Sequence, residues 1–423
     1  MSGEEGMTRR SVLKNAAVGG ASLIGVTGFA TGKKKQSDVS QRDARKIAKK
    51  AVGHIGTRTE FDTWCEQGVK SPELFYAKVA DGDSIVYTPR AWVFPIENRG
   101  DDVGYIAIDA KQTVSPVLAY GKSEAPQRNV DDAIQVAKAN GNSIHKRFLY
   151  QGGTQFGVET TDRRLVDLRS RSVTSLAPVE DRRSLLPSDK SGLRSSSNIG
   201  LSNIGGGDAP DWSGGTDDEV AGEVPNWTED DDGGASITNY GDGADSWDGW
   251  DGCTPIAASM VIGYHEGLND DDQDQADALI DRLHVDLGTN DNGVTLPEPP
   301  RNPFDLASQE NNIYDNIPDG IESYEEGNHS YAAANEYVRL RHDTEQAIGN
   351  DNPPILSMWN GPYSGTKSGH SVAVVGYRTE SCASLWNPLC TDFYYKVYNG
   401  YATDPDRVLH GNWLGALLTK VWT

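Results

Sequence analysis

Apolar and polar residues alternate in the first third of the chain in a way that predicts an α+β unit. In residues 36–55, QSDVSQRDARKIAKKAVGHI, the apolar positions recur at helical spacing, which predicts an amphipathic helix. Residues 73–126 hold apolar runs separated by the turn sequences DGD and NRGDD, which predict several strands. A second helix is predicted to start near Asp131 and to end near Gly141 or continue beyond it. These elements place a compact α+β unit in residues 36–165.

A second set of predicted elements begins at residue 224. The stretch from Thr254 to Leu268, TPIAASMVIGYHEGL, is apolar on nearly every face, as a buried helix is. Pro255 suits the first turn of this helix and Gly267 suits its end. Helices followed by antiparallel strands predict an α+β fold here too. The further helices are predicted in residues 274–288 and 331–349, and the strands in residues 353–359, 370–378, 392–401 and 413–422.

Residues 166–223, between these two sets of elements, are rich in Ser, Gly, Asp and Pro and have few periodic apolar positions. This composition predicts a flexible linker. Several arginines lie within the linker, so it offers accessible sites to a protease. The chain is therefore predicted to consist of two folded domains, over residues 36–165 and 224–423, joined by this linker.

Charge is distributed unevenly between the two halves of the chain, whose formal net charge is -23. Residues 1–200 carry 30 Lys and Arg against 23 Asp and Glu, whereas residues 201–423 carry 9 against 39. An acidic, Lys-poor surface is typical of a halophilic protein that stays soluble in concentrated salt. It also disfavours nucleic acid as a partner, because phosphates would be repelled. The acidic run at residues 270–272 lacks the Gly and the distant Glu of an EF-hand loop, so we interpret it as a solvated face.

The N-terminus contains a pattern typical of protein export. Residues 8–14 are TRRSVLK, and a weakly apolar, Gly- and Ala-rich stretch follows them. A paired arginine before such a stretch resembles a twin-arginine signal, so we predict a signal peptide over residues 1–32 and a secreted or cell-surface protein. Retention of an uncleaved signal as a membrane anchor stays open. No other stretch approaches the roughly 20 apolar residues that a spanning helix needs.

The four cysteines are Cys65, Cys253, Cys382 and Cys390. An exported protein can form disulfides. Cys382 and Cys390 are eight positions apart and flank the loop-like segment ASLWNPL, which makes them the candidate disulfide pair. That pairing would leave Cys65 and Cys253 free. The alternative, a bond between Cys65 and Cys253, would tie the two halves of the chain together.

Three residues of the second domain form a set suited to nucleophilic thiol chemistry. Cys253 begins the buried helix, His370 begins an apolar strand, and Asn399 ends the next strand. A helix N-terminus favours a thiolate over a thiol. An imidazole can take the thiol proton and return it to a leaving amine, and a third polar side chain can hold that ring in orientation. Free N–H groups at the helix start, including that of Cys253, are donors for an oxyanion.

The order of these residues and the sequence words around them resemble a known family. DGCTPIAASMVIGY and SGHSVAVVGY, with an Asn on the following strand, resemble the papain-like cysteine peptidases over residues 224–423. The similarity is greatest to the secreted group related to bacteriocin-processing peptidases and streptopain. It implies a papain-like fold in which Cys253 is the nucleophile and His370 the general base and acid. It implies no cofactor, and no Cys/His pair has the spacing of metal ligands.

The chain departs from the pattern of this family in two places. Twenty-nine positions separate His370 from Asn399, which the segment between Cys382 and Cys390 explains if it is a loop, and Asp404 is an alternative orienting residue. The family also places a Gln shortly before the cysteine to complete the oxyanion hole, and this chain has none there. The candidate side-chain donors in place of this Gln are those of Asn239, Ser246 and Trp247.

The resemblance also assigns a role to the first domain. GYIAIDAKQTVSPVLAYGKSEAP, within residues 36–165, is similar to the propeptides that fold with such peptidases and block their clefts. We therefore predict an exported cysteine endopeptidase that acts on peptides or proteins, made as a monomeric zymogen whose own propeptide inhibits it and cut in the linker. The alternatives are an amidase or acyl/peptidyl transferase on the same fold, and a catalytically inactive secreted binding protein.

Overall fold

The computed structural model describes residues 38–81, 84–111, 113, 115–169, 171, 173–175, 215–228, 252–289, 295, 316–326, 329–337, 341–359, 369–381, 391–402, 404–413 and 415–423. All of them belong to one unit of the chain, Ser37–Thr423. Several predicted features lie outside the described residues. These are the signal peptide, most of the linker, the oxyanion candidates Asn239, Ser246 and Trp247, and the candidate disulfide cysteines Cys382 and Cys390.

The N-terminal region, defined here as residues 38–175, packs helix α1 (Gln41–Ile55) and helix α2 (Val130–Ala139) against strands. The Ser40 side chain caps α1 by accepting the N–H of Asp43 at 3.2 Å. The buried face of α1 consists of three alanines, Val52 and Ile55. The strands of this region are β1 (Glu73–Asp81), β2 (Ser84–Asn98), β3 (Asp101–Asp109), β4 (Val117–Gly121), β5 (Ile144–Gly152), β6 (Gln155–Thr160), β7 (Arg164–Asp167) and β8 (Val173–Ser175).

The C-terminal region, defined here as residues 215–423, has its core around helix α3 (Cys253–Glu266). Gly252 and Gly267, at the two ends of α3, have φ angles of 102° and 72°, which glycine adopts with least strain. The other helices are α4 (Gln273–Asp286), α5 (Asn316–Ser323) and α6 (His342–Gly349). The strands are β9 (Asp217–Glu219), β10 (Glu325–Glu326), β11 (His329–Ser330), β12 (Ala332–Tyr337), β13 (Ile355–Trp359), β14 (Gly369–Ser381), β15 (Thr391–Tyr398), β16 (Asp406–Leu409) and β17 (Gly415–Trp422).

One mixed sheet runs through both regions. Among the described strands its order is β12-β17-β13-β14-β15-β16-β4-β3-β2-β1-β5-β6-β7-β8, with β9 beside β14. The two regions meet where β16 pairs antiparallel with β4, and Asp406 lies opposite Gly121. A Cβ atom on Gly121 would lie 2.0 Å from Oδ1 of Asp406, so any larger residue would have to displace this carboxylate or its strand. Helices with a large mixed sheet make an α+β fold that is compatible with a papain-like peptidase domain.

Most predicted elements are present, and one is wrong. The predicted helix over residues 331–349 is instead strand β12 followed by helix α6, because the Ala-rich β12 pairs with β17 along its length. Tertiary pairing has here overridden the helix propensity of alanine. Helix α2 ends at Ala139, and strand β5 follows it, so the second predicted helix does not continue past Gly141. Strands β8 and β9 lie within the predicted linker.

Among the helices that the structure describes, none combines the length and the apolar character needed to cross a membrane.

Candidate active site

Cys253 is the first residue of α3, and its sulfur faces strand β14. No side chain caps the start of α3. The N–H of Ser371 donates to Sγ of Cys253 at 3.3 Å. The hydroxyls of Thr254 and Ser371 lie 2.9 Å apart and join the helix start to the strand through a second hydrogen bond. The packing of an apolar helix on an apolar strand thus brings Cys253 to the end of β14 that carries His370.

His370 is the second residue of β14 and is 3% exposed. Its Nδ1 lies 3.3 Å from the hydroxyl of Tyr401, whose ring is nearly parallel to the imidazole. Its Nε2 is buried and has no hydrogen-bond partner within the described part of the chain. The described contacts also include no hydrogen bond between this imidazole and Sγ of Cys253. The structure therefore brings the two predicted residues to one place without linking them.

Asn399 follows the end of β15 and is buried, 1% exposed. Its Nδ2 donates to Oδ2 of Asp406 at 2.6 Å, and its Oδ1 accepts the N–H of Tyr401 at 2.8 Å. Asp404, the alternative orienting residue, is 40% exposed and pairs with Lys122 at 3.0 Å. The described hydrogen bonds of both side chains therefore go to residues other than His370, and the role of Asn399 stays a prediction.

The N-terminal region covers this end of β14. Nε2 of Gln155 donates to the carbonyl of Gly369, the residue before His370, at 2.8 Å. The N–H of Gly153, in the turn before β6, donates to the carbonyl of Asn412 at 3.0 Å. Arg169, just beyond β7, forms an ion pair with Asp406. The turn between β5 and β6 and the end of β7 thus lie directly against the candidate site.

Burial and the charge of Arg169 act on the protonation of the imidazole. Burial, and after it the positive charge of Arg169, lower the pKa of His370 to about 3, although a hydrogen bond with the Asn399 backbone acts in the opposite direction. Because this pKa lies below neutral pH, His370 carries no charge there. Uncharged imidazole can accept a proton, but burial beside a fixed cation disfavours the imidazolium that would result.

The pKa of the Cys253 thiol is shifted in the opposite direction, upward. Burial raises the pKa of Cys253, and the negative charge of Asp167 adds to the effect. The N–H of Ser371 acts against burial by donating to the sulfur. At neutral pH the pair is therefore a thiol and a neutral imidazole. The helix start alone predicts a thiolate, but burial outweighs its effect on the pKa of Cys253.

Sequence reasoning missed two residues beside Asn399. Tyr401 contacts His370 and also the Asn399 amide, and it lies only two positions after that residue. Asp406 binds Asn399 directly, although the same acidic segment suggested only Asp404. No local pattern indicated Asp406, because β16 has the sequence DRVL and its first three residues are all buried instead of alternating.

Cys65 and Cys253 are free cysteines. No group of three or more His, Cys, Asp or Glu side chains in the described ranges is arranged to hold a metal ion.

Comparisons with known proteins agree with this chemistry over part of the chain. Residues 236–406 match the family model described as the Peptidase_C39 like family. The matched segment is less than half of the chain and includes Cys253, His370 and Asn399. The match supports a papain-like cysteine peptidase with peptide or protein substrates. No curated protein and no solved structure matches the chain significantly.

Proposed function

We propose that the C-terminal region is the catalytic domain of an exported cysteine endopeptidase, and that residues 36–165 are its propeptide. The observation that carries the proposal is the placement of Cys253. Its sulfur lies at the start of a buried helix and 3.3 Å from the backbone nitrogen of Ser371, the residue after His370. A thiol and an imidazole held on facing helix and strand ends are the parts that acyl transfer through sulfur needs.

In the proposed reaction His370 accepts the thiol proton on Nε2, and the Cys253 sulfur bonds to the carbonyl carbon of the substrate. The N–H groups at the start of α3 stabilise the oxyanion that forms. The C–N bond breaks as the imidazolium gives its proton to the leaving amine, which leaves a thioester. Water, deprotonated by His370, then adds to the thioester, the C–S bond breaks, and the acid product departs.

The zymogen state is supported by the contacts of the N-terminal region with the site. Gln155 and Arg169 both bond to residues beside the proposed triad. The imidazole of His370 is only 3% exposed in this arrangement. A thiol and a neutral imidazole under this cover form an unreactive pair. We propose that cleavage in the linker and departure of the N-terminal region convert the pair into thiolate and imidazolium.

A thiol probe tests the proposed function. The full-length chain would be cut by limited proteolysis in the linker, the N-terminal region removed, and the product treated with iodoacetamide at neutral pH in high salt. We expect Cys253 to be alkylated, identified by peptide mass mapping, and peptide hydrolysis to stop in parallel. Cys253→Ala should abolish hydrolysis, and alkylation of the exposed Cys65 cannot contribute, because that cysteine leaves with the N-terminal region. Hydrolysis that persists in Cys253→Ala would refute the assignment.

The same preparation separates the alternatives. An amidase or transferase would require Cys253 but would transfer the acyl group to an added amine in preference to water. A binding protein would show no Cys253-dependent turnover of either kind. Export is tested separately: Arg9→Lys with Arg10→Lys should leave the protein inside the cell if the twin-arginine pattern is used.

A further inference from the structure

The carboxylate of Asp406 is completely buried where the two regions meet. Its one described partner from the C-terminal region is Nδ2 of Asn399. Its other described partners come from the N-terminal region. They are the guanidinium of Arg169, the hydroxyl of Tyr105 at 3.1 Å and the hydroxyl of Ser123 at 3.4 Å.

The N-terminal region is shaped around this carboxylate. Arg169 is 5% exposed, and its guanidinium lies over the rings of Tyr105 and Phe156, at 4.9 and 5.4 Å from their centroids. Gly121 leaves open the space that Oδ1 of Asp406 occupies. A buried cation held by two aromatic rings opposite a glycine is a built receptor for one carboxylate. The carboxylate that Arg169 binds is that of Asp406, which also binds Asn399, the asparagine of the proposed triad.

Asp406 also determines which way the Asn399 amide faces. An ionised carboxylate only accepts hydrogen bonds, so it selects the NH₂ group of Asn399. Oδ1 of Asn399 must then face the opposite side, where it accepts the N–H of Tyr401. An amide that orients an imidazole must present an acceptor to the ring N–H. The Asp406 carboxylate therefore enforces the amide orientation that such a role requires.

Removal of the N-terminal region would change the charge around the site. Among the described groups near the imidazole and thiol, Arg169 is the cation acting on His370 and Asp167 is the anion acting on Cys253. Both belong to the N-terminal region but lie beyond residue 165, so the inference requires that the linker is cut after residue 175. Two other described groups are close to the imidazole. The hydroxyl of Tyr401 contacts Nδ1 of His370, and the carboxylate of Asp406 binds the side chain of Asn399. The ion pair between Lys122 and Asp404 is more exposed, with about 40% of each side chain accessible to solvent.

We propose that Arg169 and Asp406 form a lock on the zymogen, and that Asp406, once Arg169 has left, is a positioning residue of the mature enzyme. In the precursor the guanidinium neutralises the carboxylate and places its own charge beside His370. After removal, Asp406 keeps Asn399 as its partner, and its charge, no longer neutralised, favours the imidazolium. This inference rests on the proposed peptidase function.

The first test uses the uncut full-length chain. Arg169→Gln removes the cation, and Arg171→Gln is the matched control, because Arg171 is 61% exposed and pairs with Asp132. The rate of alkylation of Cys253 by iodoacetamide, read by mass mapping, should rise about tenfold or more in Arg169→Gln and stay unchanged in Arg171→Gln. Arg169→Lys keeps the charge and should remain slow. Equal rates in Arg169→Gln and Arg171→Gln would overturn the lock.

The second test uses the mature enzyme, made by cutting the full-length chain and removing its N-terminal region. Asp406→Asn should lower kcat about tenfold with KM nearly unchanged, because its amide no longer fixes the direction of Asn399. The alkaline limb of the kcat/KM profile should move to lower pH, because the imidazolium loses a nearby anion. Asp392→Asn is the control, since Asp392 is a buried acid at the same junction that bonds to Ser115 instead.

The outcomes separate the inference from the function on which it rests. An Asp406→Asn enzyme with an unaltered pH profile would overturn the positioning role. If Cys253→Ala is inactive while the Arg169 and Asp406 variants behave as wild type, the function stands and the lock falls. If Cys253→Ala keeps full activity, the proposed function itself falls. Variants that fail to fold are detected by circular dichroism, and Arg169→Met, which removes the charge but keeps a long side chain, then replaces Arg169→Gln: a Cys253 alkylation rate no faster than that of Arg171→Gln would overturn the lock.

Discussion

The rings of Tyr401 and His370 are stacked, with 5.0 Å between their centroids and 16° between their planes. The Tyr401 hydroxyl also lies 3.3 Å from Nδ1 of His370, so one side chain restrains the imidazole both by its face and by a hydrogen bond. The N–H of Tyr401 holds Oδ1 of Asn399 as well. The position of the imidazole in the proposed peptidase therefore depends on Tyr401.

Substitution of Tyr401 tests this dependence. Tyr401→Phe keeps the stacked ring and loses the hydroxyl, so we expect a loss of kcat of a few fold in the mature enzyme. Tyr401→Ala loses both, and an imidazole misplaced by about 1 Å costs about a hundredfold in rate. KM should change little in either variant. Equal losses in the two variants, measured by steady-state hydrolysis, would show that the ring does not position His370.

The buried imidazoles predict how the precursor responds to acid. Burial and the positive charge of Arg169 lower the pKa of His370 to about 3. Burial and the positive charge of Arg341 lower that of His410 to about 4. The unfolded chain binds these protons near pH 6.5, so the precursor should lose stability as the pH falls from 6.5 toward 3. NMR of the imidazole protons should show no titration of either residue between pH 5 and 8. An His370 resonance that titrates near pH 6.5 in the precursor would contradict this.

Neutralising Glu380, a buried carboxylate between the two regions, should strongly destabilise the folded chain. Glu380 is 4% exposed and bonds to Arg58, to His54 at 3.2 Å and to Arg378 at 2.5 Å. Burial alone would raise its pKa, but these three partners keep it below the usual range, so its contribution is present above about pH 4.3 and lost as the pH falls. Glu380→Gln should lower the free energy of unfolding by about 3–5 kcal/mol at pH 7.

Denaturant titration at two salt concentrations measures this effect. Because the Glu380 group is buried, the loss should be nearly the same in low and high salt. The matched control is Asp43→Asn, which removes a surface pair with Lys46 and should have little effect. A Glu380→Gln protein as stable as the wild type would show that the group contributes nothing to the junction.

Substitution of Gly121 tests the packing where β4 of the N-terminal region pairs with β16 of the C-terminal region. A Cβ there would lie 2.0 Å from Oδ1 of Asp406, so Gly121→Ala must push the strands apart or displace the carboxylate. We expect a destabilisation of about 1–3 kcal/mol and faster alkylation of Cys253 in the precursor. Gly349→Ala, where a Cβ meets no atom within 4 Å, is the control and should not destabilise. Thermal unfolding and alkylation rates measure both effects.

The sequence predicts the local elements of this protein well, because its periodicities are strong. The apolar stretch with Pro255 and Gly267 near its ends corresponds to α3, and the apolar run beginning at His370 corresponds to β14. The error over residues 331–349 arose because alanines favour a helix until a neighbouring strand, here β17, offers pairing. Such pairing depends on residues some 80 positions away, which no local pattern records.

The site is predictable in its residue types and much less so in its connections. Cys253 and His370 were identifiable because each begins a predicted helix or strand. The hydrogen bond from the N–H of Ser371 to the Cys253 sulfur shows that they lie close together. Asp406 and Arg169 were not identified, because they are 237 positions apart and meet only through the pairing of β4 with β16. The shift of the thiol pKa was not predicted either, since it depends on what covers the cysteine.

The shared sheet has a consequence for the order of maturation. Because β4 continues the sheet of the C-terminal region through β16, a cut in the linker breaks one covalent bond and no pairing between strands. The cut product is therefore a nicked particle of two chains with the same edges and the same buried ion pairs as before. In the proposed zymogen, separation of the chains, and not hydrolysis of the linker, therefore sets how long the proposed peptidase stays inactive.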